Sequence, residues 1–428
     1  MTAEIAVYNK TAVALAADSA VTISGGGSEK IYNGAEKLFA LSKHHPVGLM
    51  VYGSGDLCSA PWELIIKAYR KHIGTRSFSG VEDYANDFFD FLEKSKNIVT
   101  ELMRDKQTYS YLSDIVLTSL VDSLGKYKGD GYWDNFNQTQ FFIDLEEFCH
   151  LLLEKLSDTE FLDGFSGDDL DDAHIFCDGL TAHIVSDKLV PEGTNELPDS
   201  LVKVVNSVFA AMLCKRSDTG NISGLVIAGY GEDDYYPQVL SYDVCGFFNE
   251  KIRKSKNPEK CSSGGDSGVT PFAQEDEVSA FMQGCSSNLI DNLHSEYRTS
   301  IGDLLDGIDQ IIGEQILDKK VQGIFRQSII DVVNKTLIEN EKNIQRFMHK
   351  NYISKVVNMV EYLPKQDLAY MAESLVNLTA FKRKVSDDSE TVGGPIDVAV
   401  ISKADGFIWV KRKHYFSKDL NHHFFAKY

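Results

Sequence analysis

The sequence predicts an α+β fold, in which a strand-rich core is interrupted by helices, and three observations carry that expectation. Short apolar runs separated by turn residues fill positions 4–52. Long amphipathic stretches follow. Strand signal then returns mid-chain and again near the carboxyl end, an order that fits a layered core with helical excursions rather than alternating βαβ units.

Glu4–Tyr8 and Thr11–Ala17 are β-branched and alanine runs on either side of the turn-prone Asn9-Lys10. Val21–Ser24 leads into Gly25-Gly26-Gly27, and Leu38–Leu41 and Val47–Tyr52 add two more runs, so the spacing predicts a β-meander. After Pro61, which a first helical turn tolerates, Trp62, Ile65, Ile66 and Tyr69 recur at helical spacing. Ser79 and Glu82 suggest a capping box ahead of Tyr84, Phe88, Phe91 and Leu92. The stretch 96–222 reads as mainly helical and acidic, with Asp168-Asp169-Leu170-Asp171-Asp172 as a solvated loop or helix start.

Leu225–Ala228 and Gln238–Tyr242 read as strands around a turn, and the polar 251–268 reads as a linker. In 280–362, Leu304, Ile308, Ile311 and Ile312 share one helical face, and Ile329, Ile330, Val333 and Leu337 share another. A helix over Gln366–Phe381 precedes closing strands at Ile396–Ile401 and Phe407–Val410. The expected organisation is core at 1–95, 223–284 and 363–428, with helical insertions at 96–222 and 285–362.

The net charge of −20 argues against sequence-independent nucleic-acid binding, which needs a basic surface. No apolar run has the length of a membrane span, and the amino end lacks a signal-peptide layout, so no membrane association and a cytoplasmic location are expected. The seven cysteines are scattered without a CxxC pair, which suggests reduced thiols rather than a disulfide framework or zinc knuckle. Gly265-Asp266-Ser267-Gly268 spells the tetrapeptide around a trypsin-like serine, but no matching histidine segment precedes it. Asp163–Asp172 lacks calcium-loop spacing.

Thr2 has a specific chemical meaning. Initiator methionine is removed when the next side chain is small, and a terminal threonine then holds a nucleophile and a base in one residue. Its α-amine, which ordinarily titrates at about pH 8, can accept the hydroxyl proton at neutral pH. A Met-Thr start alone is common, so the residues around it decide its weight.

Thr2-Ala-Glu-Ile-Ala-Val, followed by Val13-Ala-Leu-Ala-Ala-Asp18-Ser19-Ala-Val-Thr22, resembles the two opening strands of proteasome β-subunits, and more closely those of HslV-type peptidases. These are N-terminal-nucleophile hydrolases. The resemblance implies that Thr2 is the nucleophile, Asp18 the aspartate ending the second strand, and Lys37 in Glu36-Lys37-Leu38-Phe39 the catalytic lysine. Lys30 is the alternative, because the stretch around the glycines is longer than in the family. Asp18 would hold Lys37 charged, and the ammonium would lower the pKa of the threonine hydroxyl and amine.

Gly53 in Val51-Tyr52-Gly53-Ser54-Gly55 matches the glycine whose N–H forms the oxyanion hole, and Val51 would line the pocket for the residue before the scissile bond. Val392-Gly393-Gly394-Pro395-Ile396-Asp397-Val398-Ala399-Val400-Ile401 and Leu225-Val-Ile-Ala-Gly-Tyr230 resemble two further family segments. With a one-residue slip, Ser267 matches the serine that bonds the threonine amine. Where the family places a supporting aspartate and serine, this chain has Ser389 and Val392, with Asp388 or Glu390 as substitutes for the aspartate. The likeness covers about half of the chain, near 2–93, 224–284 and 364–410.

The resemblance implies a four-layer αββα sandwich carrying two helical insertions. It also implies a threonine endopeptidase acting on peptides or unfolded proteins without a metal or organic cofactor. Self-association, in a ring among other forms, and an ATPase or regulatory partner are further implications. The alternatives are an amidase or acylase acting on a small molecule, a silent scaffold subunit that keeps Met1, and a toxin or defence component held off by a neighbouring protein.

Overall fold

The computed structural model describes residues 3–25, 28–134, 136–190, 197–315, 318–386 and 392–425. It is a mixed α+β protein with antiparallel sheets, 55% helical and 18% strand, a helix excess that comes from the two long helical stretches. In chain order the strands and helices are β1 (Glu4–Asn9), β2 (Ala12–Ala17), β3 (Val21–Gly25), β4 (Ser28–Tyr32), β5 (Leu38–Ala40), β6 (Val47–Gly53), β7 (Asp56–Leu57) and β8 (Ala60–Pro61). Helices α1 (Trp62–Ile73), α2 (Val81–Lys94), α3 (Glu101–Ser110), α4 (Leu117–Lys128), α5 (Gln138–Ser157), α6 (Gly167–Leu189) and α7 (Asp199–Cys214) follow. Then come β9 (Ser223–Gly229), β10 (Gln238–Phe248), β11 (Lys251–Lys256) and β12 (Gly268–Pro271). The chain closes with α8 (Asp276–Gln283), α9 (Ser287–Gln315), α10 (Lys319–Met348), α11 (Ser354–Val360), α12 (Lys365–Val385), β13 (Asp397–Ser402) and β14 (Gly406–Lys411).

Two compact units result, one of 1–34, 265–400 and 410–428, the other of 35–264 and 401–409. Their border at Gly34/Ala35 cuts the expected 1–95 core segment, and 96–222 shares a unit with β5–β11. The expected meander is likewise corrected. β1–β2, β3–β4 and β5–β6 are successive antiparallel hairpins, but they lie in three different sheets.

The sheet that contains β1 and β2 has the order β12-β1-β2-β13-β14. Asn9 closes the β1–β2 hairpin and is fully buried. Its Oδ1 accepts from the N–H of Thr11, 2.9 Å away, and its Nδ2 donates to the Val360 and Leu363 carbonyls at 2.9 and 3.0 Å. One side chain thus shapes the turn and satisfies the end of α11. Ile5, Val7, Ala14 and Ala16 pack under Leu368, Ala372, Leu375 and Val376 of α12. The alternate residues Ala6, Val13 and Leu15 are also buried, which is why β1 and β2 read as continuous apolar runs instead of alternating ones.

In the second unit the sheet order is β11-β10-β9-β6-β5, with α1 and α2 on one face through Phe39, Leu49, Trp62, Ile66, Phe88 and Leu225. Helices α3–α7 build a separate core around Leu145, Cys177, Val205 and Phe209. Three buried cations stop helices here by taking up their last carbonyls. Arg104 donates to Leu92 and Glu93 at the end of α2, Lys215 to Leu156 and Ser157 at the end of α5, and Arg253 to Met212 and Leu213 at the end of α7.

Arg253 also explains why the expected linker 251–268 begins as a strand. Arg253 is 2% exposed, so Lys251–Lys256 must pair with β10 to carry it inward, and the remaining lysines suit an edge. Arg253→Ala removes the side-chain donor to the buried Leu213 carbonyl and one of two to Met212, whose carbonyl also accepts from the Tyr111 hydroxyl at 3.3 Å. It should lower stability by about 3 kcal/mol, read as a fall in the urea midpoint at constant slope.

One capping expectation is corrected, and one open alternative is decided. Helix α2 starts after Gly80, whose N–H is accepted by Asp83 at 3.0 Å, while Glu82 pairs with Lys256 instead. The acidic run at 168–172 is a helix start: Ser166 and Asp169 form the box, and Asp169 is 8% exposed and ion-paired to Lys251 at 2.7 Å. All seven cysteines are free. Burial pushes the thiols of Cys58, Cys149, Cys177 and Cys214 up to about 12, which suits packing rather than reactivity. No described helix is long and apolar enough to cross a membrane.

Candidate functional site

Asp18 is the first fixed point. The β1–β2 ladder ends at the pair Glu4–Ala17, and one step beyond it Asp18 N–H donates to the Ala3 carbonyl at 3.1 Å. The Ala3 N–H in turn donates to Asp18 Oδ1 at 3.1 Å, so backbone and side chain together fasten the start of β1. Oδ2 accepts from Ala20 N–H at 3.2 Å and Gly393 N–H at 3.0 Å, and the residue is wholly buried. Thr2 itself lies outside the described residues, as do Asp388, Ser389 and Glu390.

The segment 392–396 reaches the same point from the far end of the chain. Ser19 N–H donates to the Gly393 carbonyl at 3.1 Å, and Ser19 Oγ donates to the Pro395 carbonyl. Gly394 needs to be glycine, because its φ is +75° and a Cβ there would sit 2.8 Å from Asn33 Cβ. Two stretches singled out separately in the sequence are therefore strapped together, 375 residues apart.

A cleft of about 460 Å³ opens over this strap. Asp18, Gly393 and Gly394 line it together with apolar Ile31 and Phe381 and with polar Asn33, Asn377 and Lys384. The size falls within the range of small-ligand pockets. Sequence reasoning missed the last three and Phe381. A signal existed, because 377, 381 and 384 follow helical spacing and share one face of α12.

Lys37 and Gly53 belong to the second unit. Lys37 is 5% exposed just before β5, and its carbonyl accepts from Val51 N–H at 2.9 Å. The alternative Lys30 is exposed, on β4. Gly53 ends β6 with φ +76°, and a Cβ there would meet the Ile222 carbonyl oxygen at 2.3 Å. The loop after it is braced: Trp62 Nε1 donates to Ser223 Oγ at 2.9 Å, and Ser223 Oγ lies 3.1 Å from the Ser54 carbonyl. Gly53→Ala should cost about 2–3 kcal/mol from left-handed strain and the backbone clash, seen as a lower thermal midpoint.

Two expectations fail on geometry. Val51 does not line a pocket; it sits in the core beneath α1 and α2, because strand alternation turns Tyr52 to the other face. Ser267 is placed at the wrong end of β1. The following residue, Gly268, pairs with Tyr8, whereas Phe272 N–H reaches the Glu4 carbonyl, so roughly 20 Å of strand separates Ser267 from Ala3. The one-residue slip allowed by the sequence cannot close that gap.

The face that Tyr52 joins carries a titratable group. Its hydroxyl is 3.4 Å from Ser241 Oγ and 3.5 Å from Asp243 Oδ1. Burial pushes the Asp243 carboxyl above the usual carboxylate range, against the pull of nearby Lys260. A raised folded-state pKa means that the native state binds the extra proton, so stability falls as pH rises from about 4 through the raised value. Asp243→Asn should therefore stabilise the protein at pH 7 and lose that advantage near pH 4, compared by urea unfolding at both.

In comparisons with known proteins, no family model and no curated protein matches the chain significantly.

Proposed function

We propose that the protein is a threonine peptidase of the N-terminal-nucleophile type, with Thr2 as nucleophile once Met1 is removed. The observation that carries this reading is the junction at Asp18. It fixes Ala3, the neighbour of Thr2, beside Gly393-Gly394 and beneath a cleft. A terminal nucleophile needs such an anchor, because a free chain end loses the orientation on which attack depends.

In this reading Thr2 Oγ1 attacks the scissile carbonyl and its own α-amine takes the proton. The Gly53 N–H receives the developing oxyanion, and the α-ammonium gives its proton to the leaving amine as the peptide bond breaks. The amine then takes a proton from the water that attacks the ester and passes it to Oγ1, restoring the Thr2 hydroxyl. Asp18 and Lys37 tune the nucleophile. The same reading expects a four-layer αββα sandwich with two helical insertions. Peptides or unfolded proteins are the substrate class, no metal or organic cofactor is called for, and a cytoplasmic, self-associating enzyme served by an ATPase or regulator fits the same reading.

The cleft volume favours one second reading, an amidase or acylase whose substrate is a small acylated molecule. Intact mass with and without a threonine-directed epoxyketone or boronate is the test. Loss of Met1 together with one adduct supports the nucleophile, and turnover of peptides against small amides then selects the substrate. Retained Met1 without an adduct sinks both readings and favours a silent scaffold.

A further inference from the structure

The helical stretch 287–348 contains a surface that catalysis does not use. α9 and α10 run antiparallel, joined side to side by Arg298–Glu341 at 2.6 Å, Asn340–Tyr297 at 2.9 Å and Arg326–Asp309. Two helices cannot cover each other's apolar faces. Among the described residues, thirteen large apolar side chains on them are exposed, including Leu304 and Ile311 on α9 at 61% and 60%, and Ile324 and Val332 on α10 at 67% and 65%. A groove of about 450 Å³ also remains open between Leu293 and Tyr297 of α9 and Leu337 and Ile344 of α10. On α9 these side chains share one face, because 289, 293, 297, 304 and 311 recur at helical spacing, whereas on α10 they are spread around the helix.

The charges indicate what covers it. α9 carries six carboxylates and one arginine, whereas α10 carries six lysines and arginines and three carboxylates. A hairpin with one acidic and one basic helix is complementary to itself. Turned about a twofold axis, a second hairpin lays its basic α10 along the first α9 and its acidic α9 along the first α10. A dissimilar partner would have no need for that symmetry. We propose that α9 and α10 form an antiparallel four-helix bundle with the same hairpin of a second copy of this chain, making the protein a dimer through this stretch. The inference goes beyond the catalytic reading and does not depend on it.

Sedimentation of the full chain at micromolar concentration tests it. The wild type should run as two copies or a multiple of two, and Leu304→Glu with Ile311→Glu should halve the mass; both positions are exposed, so the monomer should keep its fold. Two charge-reversed chains, Asp303→Lys/Asp306→Lys and Lys335→Glu/Lys342→Glu, touch neither internal ion pair. Each alone should associate at least tenfold more weakly, and an equimolar mixture should recover the wild-type constant by pairing basic α9 with acidic α10. A monomeric wild type, an unchanged mass after the Leu304/Ile311 substitutions, or a mixture no tighter than its components would each overturn the proposal.

Discussion

Thr2→Ala will reduce hydrolysis at least ~10³-fold in kcat and remove the adduct with an epoxyketone or boronate, while leaving the fold intact. The substitution deletes the attacking oxygen and nothing that β1 needs, since the ladder to β2 begins at Glu4. Thr2→Ser keeps the oxygen and the α-amine, so it should retain measurable turnover and still take the probe. That contrast separates loss of the nucleophile from loss of structure. Intact mass must accompany the kinetics, because a protein that keeps Met1 has no free amine at Thr2 and would be inert for another reason. Wild-type kcat/KM in the alanine variant would show that the nucleophile lies elsewhere.

Asp18→Ala should be the most damaging single change to the site itself. The carboxylate accepts from Ala3, Ala20 and Gly393, in a wholly buried position. Each orphaned N–H costs about 1–3 kcal/mol, so the three together cost about 3–9 kcal/mol locally. Because two compact units need not unfold together, a single melting temperature is a poor readout. Amide hydrogen exchange is sharper: Ala3, Ala20 and Gly393 should exchange faster by orders of magnitude, while amides in the α3–α7 core stay protected. Asp18→Asn is no benign control, since its amide donor must face at least one of the same N–H donors. Unchanged protection at Gly393 in the alanine variant would remove Asp18 as the anchor.

Much of the core was legible because its signals are local. Alanine and β-branched runs marked β1 and β2, Pro61 marked the start of α1, and a double glycine marked the turn at 393–394. Register is different in kind. Whether Ser267 meets the amino end depends on which residue of β12 opposes Tyr8, and a strand with buried residues on both faces gives no alternation from which to read the answer. Val51 failed for a related reason, since the side it faces follows from which sheet face α1 and α2 cover.

Charge was the other blind spot. Lys251–Lys256 looked like a linker because a lone strand of lysines and arginine has no reason to be buried. That reason comes from α7, whose final carbonyls need Arg253. For the run around Asp169 the sequence left a solvated loop and a helix start both open, and contacts with Ser166 and Lys251 decided for the helix start.

By itself the sequence determined which segments are strands and helices for most of the core, and it named Thr2, Asp18, Lys37 and Gly53 as residues to watch. Those are properties of neighbouring residues, fixed by backbone sterics, periodicity and turn chemistry. The tertiary structure alone decided that Asp18 and Gly393 meet, that Ser267 does not join them, that a polar stretch becomes an edge strand, and that an amphipathic hairpin is left with its apolar face uncovered. Each of these depends on pairing between distant segments, where one carboxylate can satisfy three backbone donors only after the whole chain has brought them together.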